Sequence, residues 1–310
     1  MSITPATFAT RDQWNMKEKA SPSYVLITPA RNEEQLLEGT IQSVIKQTIQ
    51  PVKWVIVSDG STDGTDELVA RYARDYAWIE LVTLPAKKER HFAAKVHAFN
   101  AGYEKVRDAD WSVIGNVDAD VSFDDDRYFE FVLDKFSENP QLGVAGTAYR
   151  EGDVLYPYRY TSLEDVAGAC QLFRRQCFQD IGGYVALPSG GIDVIAVFSA
   201  QTHGWQTRTF TDKTFEHHRK VGSGQHRGMA ARLFHSGAKD RALGSHPLWE
   251  FLRCIYQMKN RPYLMGGALT LAGYVWAMLK GDEKTIPKEL LQVRQKGQMQ
   301  RLKKGLRRVF

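Results

Sequence analysis

The sequence predicts an α/β fold, with a mostly parallel sheet flanked by helices and a helical C-terminal region after it. Short apolar runs alternate with segments whose apolar residues recur at helical spacing, and acidic clusters follow the ends of several of these runs. Such alternation is typical of a parallel sheet covered by helices on both faces. A long uncharged run followed by a basic segment distinguishes the C-terminal region from the sheet.

The first three strands are predicted at residues 24–28, 54–57 and 79–84, which are apolar and of strand length. Apolar residues recur at helical spacing over 36–45 and 68–76, so a helix is expected after each of the first two strands.

The pattern continues with a predicted helix over 93–106, a strand over 111–117 and a helix over 126–137. Strands are expected at 142–148 and, shorter, at 207–211.

Length and composition predict a globular protein of more than one part. The chain has 310 residues, 43% of them hydrophobic and 25% charged, which excludes disordered and collagen-like proteins. We expect a flexible tail over 1–22, an α/β domain over 23–232 and a helical region over 233–310. The three cysteines form no C-x-x-C pair, which favours free thiols in a reducing compartment over a disulfide framework.

The positive charge is concentrated near the C-terminus. Residues 288–310 hold eight Lys or Arg and one Glu, whereas the rest of the chain holds 33 Lys or Arg and 35 Asp or Glu. A nucleic-acid-binding enzyme usually spreads its basic residues over a face of the body, so no nucleic-acid partner is expected.

The C-terminal region is predicted to attach to an anionic membrane surface. The uncharged run 263–279 would reach about 26 Å as a helix, less than the roughly 30 Å of a hydrocarbon core, so an in-plane or shallowly inserted segment is favoured. Tyr263, Tyr274 and Trp276 are of types common at membrane interfaces, and a basic amphipathic helix follows. The alternative is a helical hairpin packed on the α/β domain or on a second copy, as in a homo-oligomer. The first 23 residues lack the apolar core of a secretory signal, so the cytoplasmic face is expected.

Polar clusters follow three predicted strands, where open α/β sheets bind ligands. They are Arg31-Asn-Glu-Glu34, Asp59 and Asp118-Ala-Asp120. The sequence has neither G-x-G-x-x-G nor G-x-x-x-x-G-K-[ST], which excludes Rossmann dehydrogenases and P-loop kinases. The two carboxylates of the last cluster offer hard oxygen ligands to Mg²⁺ or Mn²⁺.

Six segments in this order resemble the family-2 glycosyltransferases, whose GT-A fold is a Rossmann-like nucleotide-sugar-binding domain. The resemblance covers residues 23–219, and its segments are 27–34, 57–65, 95–102, 118–120, 173–184 and 190–205.

The resemblance implies roles for particular residues. The implied donor-nucleotide site comprises Pro29, Ala30, Arg31, Glu33, Asp59, Lys95 and Asp118. Asp120 is implied as the ligand of a Mn²⁺ or Mg²⁺ cofactor. A histidine late in the domain often completes such a site, and His217 is favoured over His218. Asp193 takes the position of the catalytic base.

Two departures from the family pattern restrict the function. The family's usual Glu-Asp pair is Ile192-Asp193 here, and the Gln-x-x-Arg-Trp motif of processive synthases is missing. Gln171-Leu-Phe-Arg-Arg175 is similar to that motif but precedes Asp193, so a processive polymerase is not expected.

The resemblance therefore implies an inverting, metal-dependent glycosyltransferase. The expected donor is a nucleotide sugar, with UDP-sugars favoured, and the expected acceptor is a lipid-linked saccharide of cell-surface polysaccharide biosynthesis. A polyprenyl phosphate is an alternative acceptor, and a catalytically silent nucleotide-sugar-binding protein of the same fold is an alternative function. The basic, glycine-rich residues 219–228 are expected to close over the diphosphate.

Overall fold

The computed structural model describes residues 22–85, 93–155, 162–186, 190–219, 228–259, 262–281 and 286–306. The strands are β1 (Tyr24–Ala30), β2 (Lys53–Asp59), β3 (Ile79–Leu84), β4 (Val113–Val117), β5 (Val121–Ser122), β6 (Leu142–Glu151), β7 (Val154–Leu155), β8 (Cys170–Arg174) and β9 (Gln206–His217). The helices are α1 (Leu37–Ile45), α2 (Thr65–Asp75), α3 (Ala93–Val106), α4 (Tyr128–Glu138), α5 (Arg175–Asp180), α6 (Ile192–Thr202), α7 (Met229–Ala242), α8 (Pro247–Gln257), α9 (Met265–Leu279) and α10 (Lys288–Leu306). Nearly all of the predicted tail and of the glycine-rich segment lies outside the described residues.

The strands form one sheet in the order β3-β2-β1-β4-β8-β6-β9-β5, with β7 paired to β6. Its first half, β3-β2-β1-β4, is parallel, as predicted. Val25, Leu26 and Ile27 are fully buried because helices cover both faces of this half. Leu26 belongs to the apolar core on one face, and Val25 and Ile27 belong to the core on the other.

The second half of the sheet is mixed. β8 runs antiparallel between β4 and β6, whereas β9 pairs parallel with β6 and antiparallel with β5. A parallel neighbour needs a long crossover, usually a helix, and the described residues between β6 and β8 contain no helix. The predicted parallel pairing is therefore found among β3, β2, β1 and β4 and again between β6 and β9, whereas β8 and β5 pair antiparallel with their neighbours.

The C-terminal helices pack together through glycines. A Cβ atom added at Gly273 of α9 would overlap the carbonyl oxygen of Phe234 in α7, and one added at Gly237 of α7 would overlap that of Thr270 in α9. These two helices approach so closely that glycine is required at the crossing. Small residues thus fill the buried face of α9, and large apolar residues lie on its outer face.

The outer faces of α8 and α9 form an exposed apolar surface. Its members are Leu248, Phe251, Leu252, Ile255, Tyr256, Tyr263, Leu264, Met265, Val275, Trp276, Met278 and Leu279. Tyr274, predicted at a membrane interface, is instead buried, and its hydroxyl donates a hydrogen bond to the Ser245 carbonyl (2.7 Å). Among the helices that the structure describes, none combines the length and apolar character needed to cross a bilayer.

Candidate active site

A cleft of about 2520 Å³ opens between the carboxyl ends of the first strands and the C-terminal helices. Every residue proposed for the site from the sequence lines this cleft. They are Pro29, Ala30, Arg31, Glu33, Asp59, Lys95, Asp118, Asp120, Asp193 and His217. His218 is turned away from it, with Nε2 lying 2.8 Å from the Ser122 hydroxyl, because successive side chains of a strand end point to opposite sides.

Asp118 is fixed by two donors at the end of β4. Its Oδ1 accepts hydrogen bonds from Lys95 Nζ (2.5 Å), on α3, and from Asn116 Nδ2 (2.9 Å). The same Asn116 amide donates to the Gly168 carbonyl (2.7 Å), which ties the Asp118 turn to the segment before β8. The carboxylate therefore has a defined orientation and a neutralising cation beside it.

Asp120 lies between His217 and Arg219 at the end of β9. Its Oδ1 is 3.6 Å from His217 Nε2, and its Oδ2 is 3.8 Å from Arg219 Nε. The backbone holds this arrangement, since Val121 pairs with His217 and the amide of His218 donates to the Asp120 carbonyl (2.9 Å). Burial, followed by the charge of Asp118, raises the pKa of Asp120, and His217 and Arg219 oppose that shift.

Arg219 links two segments that are far apart in the chain. Its Nη1 and Nη2 donate to the two carboxylate oxygens of Glu33 at 2.9 and 2.6 Å, and this pairing raises the pKa of Arg219. Glu151 approaches His217 Nδ1 from the other side, at 3.7 Å. The sequence predicts Arg219 near the diphosphate, but neither its pairing with Glu33 nor the approach of Glu151 to His217 could be predicted, because both contacts join segments far apart in the chain.

The donor atoms around Asp120 fit a divalent cation. His217 Nε2 faces the Asp120 carboxylate, and on the other side of the ring Nδ1 is buried near Glu151 without a hydrogen-bond partner among the described residues. Oxygen and imidazole donors suit Mn²⁺ or Mg²⁺, which proteins often bind with one or two carboxylates plus substrate phosphates. The described residues contain no group of three His, Cys, Asp or Glu side chains that could hold a metal without such a substrate.

The residues predicted to contact the nucleoside lie close together because β1 and β2 are adjacent and parallel. Pro29 and Ala30 of β1 are in register with Val57 and Ser58, so the Asp59 carboxylate follows directly beside the end of β1. Asp59 is buried, and its Oδ2 lies 3.8 Å from Arg31 Nη1.

Asp193 stands in the first turn of α6, close to the Asp118 turn. The preceding Gly191 is left-handed (φ 81°), and a Cβ added at Gly168 would lie 2.6 Å from the Asp193 Cβ. The Gly168 carbonyl also accepts the hydrogen bond from Asn116. Gly168 therefore contacts both the Asp118 turn, through Asn116, and the Asp193 side chain. Burial, followed by the charges of Asp193 and Asp118, raises the pKa of Tyr184, whose hydroxyl donates a hydrogen bond to Gln171 Oε1 (2.7 Å).

The comparison with protein families agrees with this geometry. The model described as "Glycosyl transferase family 2" matches residues 25–192, more than half of the chain. The protein belongs to this family.

Two curated relatives match a shorter segment. The chain is 28% identical over 113 residues to a poly-beta-1,6-N-acetyl-D-glucosamine synthase of Staphylococcus epidermidis, a match that covers 36% of this chain and 25% of the relative. It is 38% identical over 101 residues to a 4,4'-diaponeurosporenoate glycosyltransferase of Staphylococcus aureus, covering 33% and 24%. The matched segment thus spans about a quarter of the length of these relatives.

Solved structures share the fold. A mannosyltransferase from Pyrobaculum calidifontis, PcManGT, in complex with GDP-Man and Mn²⁺, superposes with a TM-score of 0.57 at 18% identity, over 85% of this chain and 76% of that one. Staphylococcus aureus TarS 1-349 in complex with UDP-GlcNAc gives a TM-score of 0.53 at 13% identity, covering 83% and 73%. The expected GT-A fold is thereby confirmed.

Proposed function

We propose that the protein transfers a sugar from a nucleotide-sugar donor to an acceptor hydroxyl, with inversion and with a divalent metal. The observation that carries this proposal is the position of Gly168. It contacts Asp193 on one side and Asn116, the partner of Asp118, on the other, so Asp193 lies near the Asp118-Ala-Asp120 turn. A leaving-group site and a candidate base thus share one cleft, as a single displacement requires.

The donor nucleotide binds along the ends of β1, β2 and β4. Asp59 reads the base with Arg31 beside it, Asp118 faces the ribose, and Lys95 adds positive charge near the diphosphate. UDP-sugars are the favoured donors. TarS has been solved with UDP-GlcNAc and PcManGT with GDP-Man, so both nucleotides belong in the test.

Asp120 and His217 would hold the metal, Mn²⁺ or Mg²⁺. When bound, such an ion acts as a Lewis acid that stabilises the negative charge developing on the leaving diphosphate. Arg219 neutralises Glu33 and approaches Asp120, so it limits the excess of negative charge in the same corner.

Asp193 removes the proton from the acceptor hydroxyl as the general base. The hydroxyl oxygen forms a bond to the anomeric carbon while the bond from that carbon to the diphosphate oxygen breaks, and the electron pair leaves on the nucleoside diphosphate. Attack from the face opposite the diphosphate inverts the anomeric centre.

The acceptor is a lipid-linked saccharide of surface-polysaccharide assembly, reached from the cytoplasmic face of the membrane. Support comes from the exposed apolar surface of α8 and α9 and from the basic residues that follow it in the chain. One relative is named as a polysaccharide synthase, which agrees with this acceptor class.

A donor screen tests the proposal. UDP- and GDP-sugars are tested for thermal stabilisation of the full chain, and for hydrolysis, with Mn²⁺ and with a chelator. A ligand present at 100 times its dissociation constant stabilises by about 2.7 kcal/mol, which is readily measured. We expect Mn²⁺-dependent stabilisation together with turnover. Stabilisation without turnover, with or without lipid-linked acceptor, would favour the catalytically silent alternative, and no stabilisation would contradict donor binding.

A further inference from the structure

The two ends of the cleft carry opposite charge. The donor end is lined by four carboxylates, Glu33, Asp59, Asp118 and Asp120, and by three cations, Arg31, Lys95 and Arg219. The charged side chains that the C-terminal helices contribute to the other end are basic, with the exception of Asp240. These basic residues are Arg232, Lys239, Arg253, Arg294, Lys296 and Arg301.

α7 presents a basic stripe to the cleft. Arg232, His235, Ser236 and Lys239 recur at intervals of three and four residues, so they share one helix face, and all four line the cleft. Neither Arg232 nor Lys239 forms an ion pair with a residue in the described part of the chain. Their charges are therefore available to a ligand.

Lys239 lies next to the residues that position the candidate base. A Cβ added at Gly191 would be 3.2 Å from Lys239 Cε, and Asp193 follows Gly191 by two residues. Lys239 therefore packs against the residue that immediately precedes α6, the helix that carries Asp193 in its first turn.

Arg294 of α10 adds a buried guanidinium with two nitrogens that lack hydrogen-bond partners among the described residues. It is 7% exposed and stacks over the Phe198 ring of α6, with 5.4 Å from Cζ to the centroid. Its Nη2 is 3.5 Å from Asp240 Oδ1, while Nε and Nη1 have no partner among the described residues. Asp240 is shared, because its other oxygen accepts from Arg253 (2.5 Å). Buried donors normally have partners, so these unpaired groups indicate a missing acceptor of hydrogen bonds.

We propose that the basic end of the cleft, defined by Arg232, Lys239 and Arg294, binds a phosphate or diphosphate group on the acceptor. Guanidinium and ammonium groups match phosphate oxygens in charge and geometry. The donor diphosphate is assigned to the opposite end, beside Lys95 and Asp120, so an anion at this end belongs to the acceptor. The inference rests on the proposed function and narrows its acceptor to phosphorylated saccharides.

Binding to the full chain saturated with UDP and Mn²⁺ tests this inference. The probes are farnesyl-diphosphate-linked N-acetylglucosamine, N-acetylglucosamine 1-phosphate and the uncharged octyl N-acetylglucosaminide. We expect both phosphorylated probes to bind more than about tenfold tighter than the uncharged one, since each hydrogen bond to a charged group contributes substantially. Tighter binding of the farnesyl probe would identify a lipid-linked source of the phosphate, and equal binding of both phosphorylated probes would identify a soluble one.

Lys239→Ala should weaken the binding of both phosphorylated probes about tenfold and leave the binding of the uncharged probe unchanged. Lys303→Ala, which removes an exposed lysine of α10 outside the cleft, is the matched control and should change nothing. Equal binding of charged and uncharged probes, binding of none of them, or an unchanged Lys239→Ala variant would overturn the inference. Failure of the parent protein to bind either UDP or GDP with Mn²⁺ would instead contradict the proposed function, and a parent protein that binds only GDP is tested with GDP in place of UDP. The two failures are therefore distinguishable.

Discussion

At the residue scale, the surroundings of each carboxylate favour a different task. Asp120 is buried near the charge of Asp118, so its pKa is raised, and His217 and Arg219 stabilise its anion without making a close hydrogen bond. A cation that replaced these weak contacts would find a carboxylate already in place. Asp193 instead stands in the first turn of α6 and lines the same cleft.

Asp193→Asn should preserve donor binding and abolish transfer, because the amide keeps the shape of the side chain but cannot take a proton. General-base catalysis typically contributes about 10² to 10⁴-fold, so kcat should fall by a factor in that range. Nucleotide affinity and transfer are measured on the same preparation. A loss of nucleotide affinity with little change in kcat would assign Asp193 to the donor site instead.

The three cysteines should be unreactive in the folded protein. Burial raises the pKa of Cys170, Cys177 and Cys254 to about 12 in each case. The thiolate is the reactive form, so these thiols stay protonated well above neutral pH. Titration with an aromatic disulfide reagent at about pH 8 should give no fast-reacting thiol in the native protein and three after unfolding in guanidinium. A fast thiol in the native state would contradict the burial described.

The residues that carry local motifs could be predicted from the sequence, whereas their supporting contacts could not. Asp118, Asp120 and Asp193 follow recognisable strands or glycines, so pattern and resemblance place them in one cleft. The Glu33–Arg219 pair joins residues 186 positions apart, and no local spacing indicates such a contact. The role of Gly168 could not be predicted either, because it depends on a contact with Asp193, 25 positions further along the chain, for which Gly168 leaves room.

At the element scale, α9 shows why the uncharged run allowed two interpretations. Its glycine face packs against α7 and α8, as a hairpin would, and its opposite face exposes Trp276 and Leu279. Hydrophobicity alone does not distinguish a face packed inside the protein from one directed outward. The small residues of the run supply that distinction, because close helix crossings require them.

Gly273→Ala should destabilise the helical region, because the added methyl group overlaps the backbone of α7 at Phe234. Overpacking of this kind typically costs about 1–3 kcal/mol. The matched control is Gly297→Ala in α10, where an added Cβ meets no described atom within 4 Å and where alanine stabilises a helix by up to about 1 kcal/mol. Thermal unfolding compares the two variants. Equal stability of Gly273→Ala and the parent protein would contradict the close crossing.

At the scale of the whole molecule, the cleft separates an α/β domain with carboxylates from C-terminal helices with basic side chains. The same helices bear the apolar surface of α8 and α9 on their outer side. Under the proposed function, the C-terminal helices have two roles: their outer side attaches the protein to a membrane, and their inner side binds the acceptor. The division into residues 23–232 and 233–310 remains a prediction from sequence.

Vesicle flotation tests the membrane proposal. The double variant Trp276→Glu/Leu279→Glu should release the full chain from anionic vesicles, since burial of each large apolar side chain contributes about 1.5–3 kcal/mol. Val154→Glu, at an exposed apolar residue outside that surface, is the control and should float like the parent protein. A parent protein that stays in solution with anionic vesicles at low salt would show that the surface has another occupant, such as a second copy.

The central claim is that this cleft binds a nucleotide through a metal held by Asp120. Calorimetric titration of UDP and GDP into the full chain, with Mn²⁺ and with a chelator, measures it directly. We predict that one of the two nucleotides binds more than about tenfold tighter with Mn²⁺, a difference of about 1.4 kcal/mol, and that Asp120→Asn removes this difference while the protein stays folded. Equal affinity with and without Mn²⁺ in the parent protein, or full metal dependence in Asp120→Asn, would contradict the account.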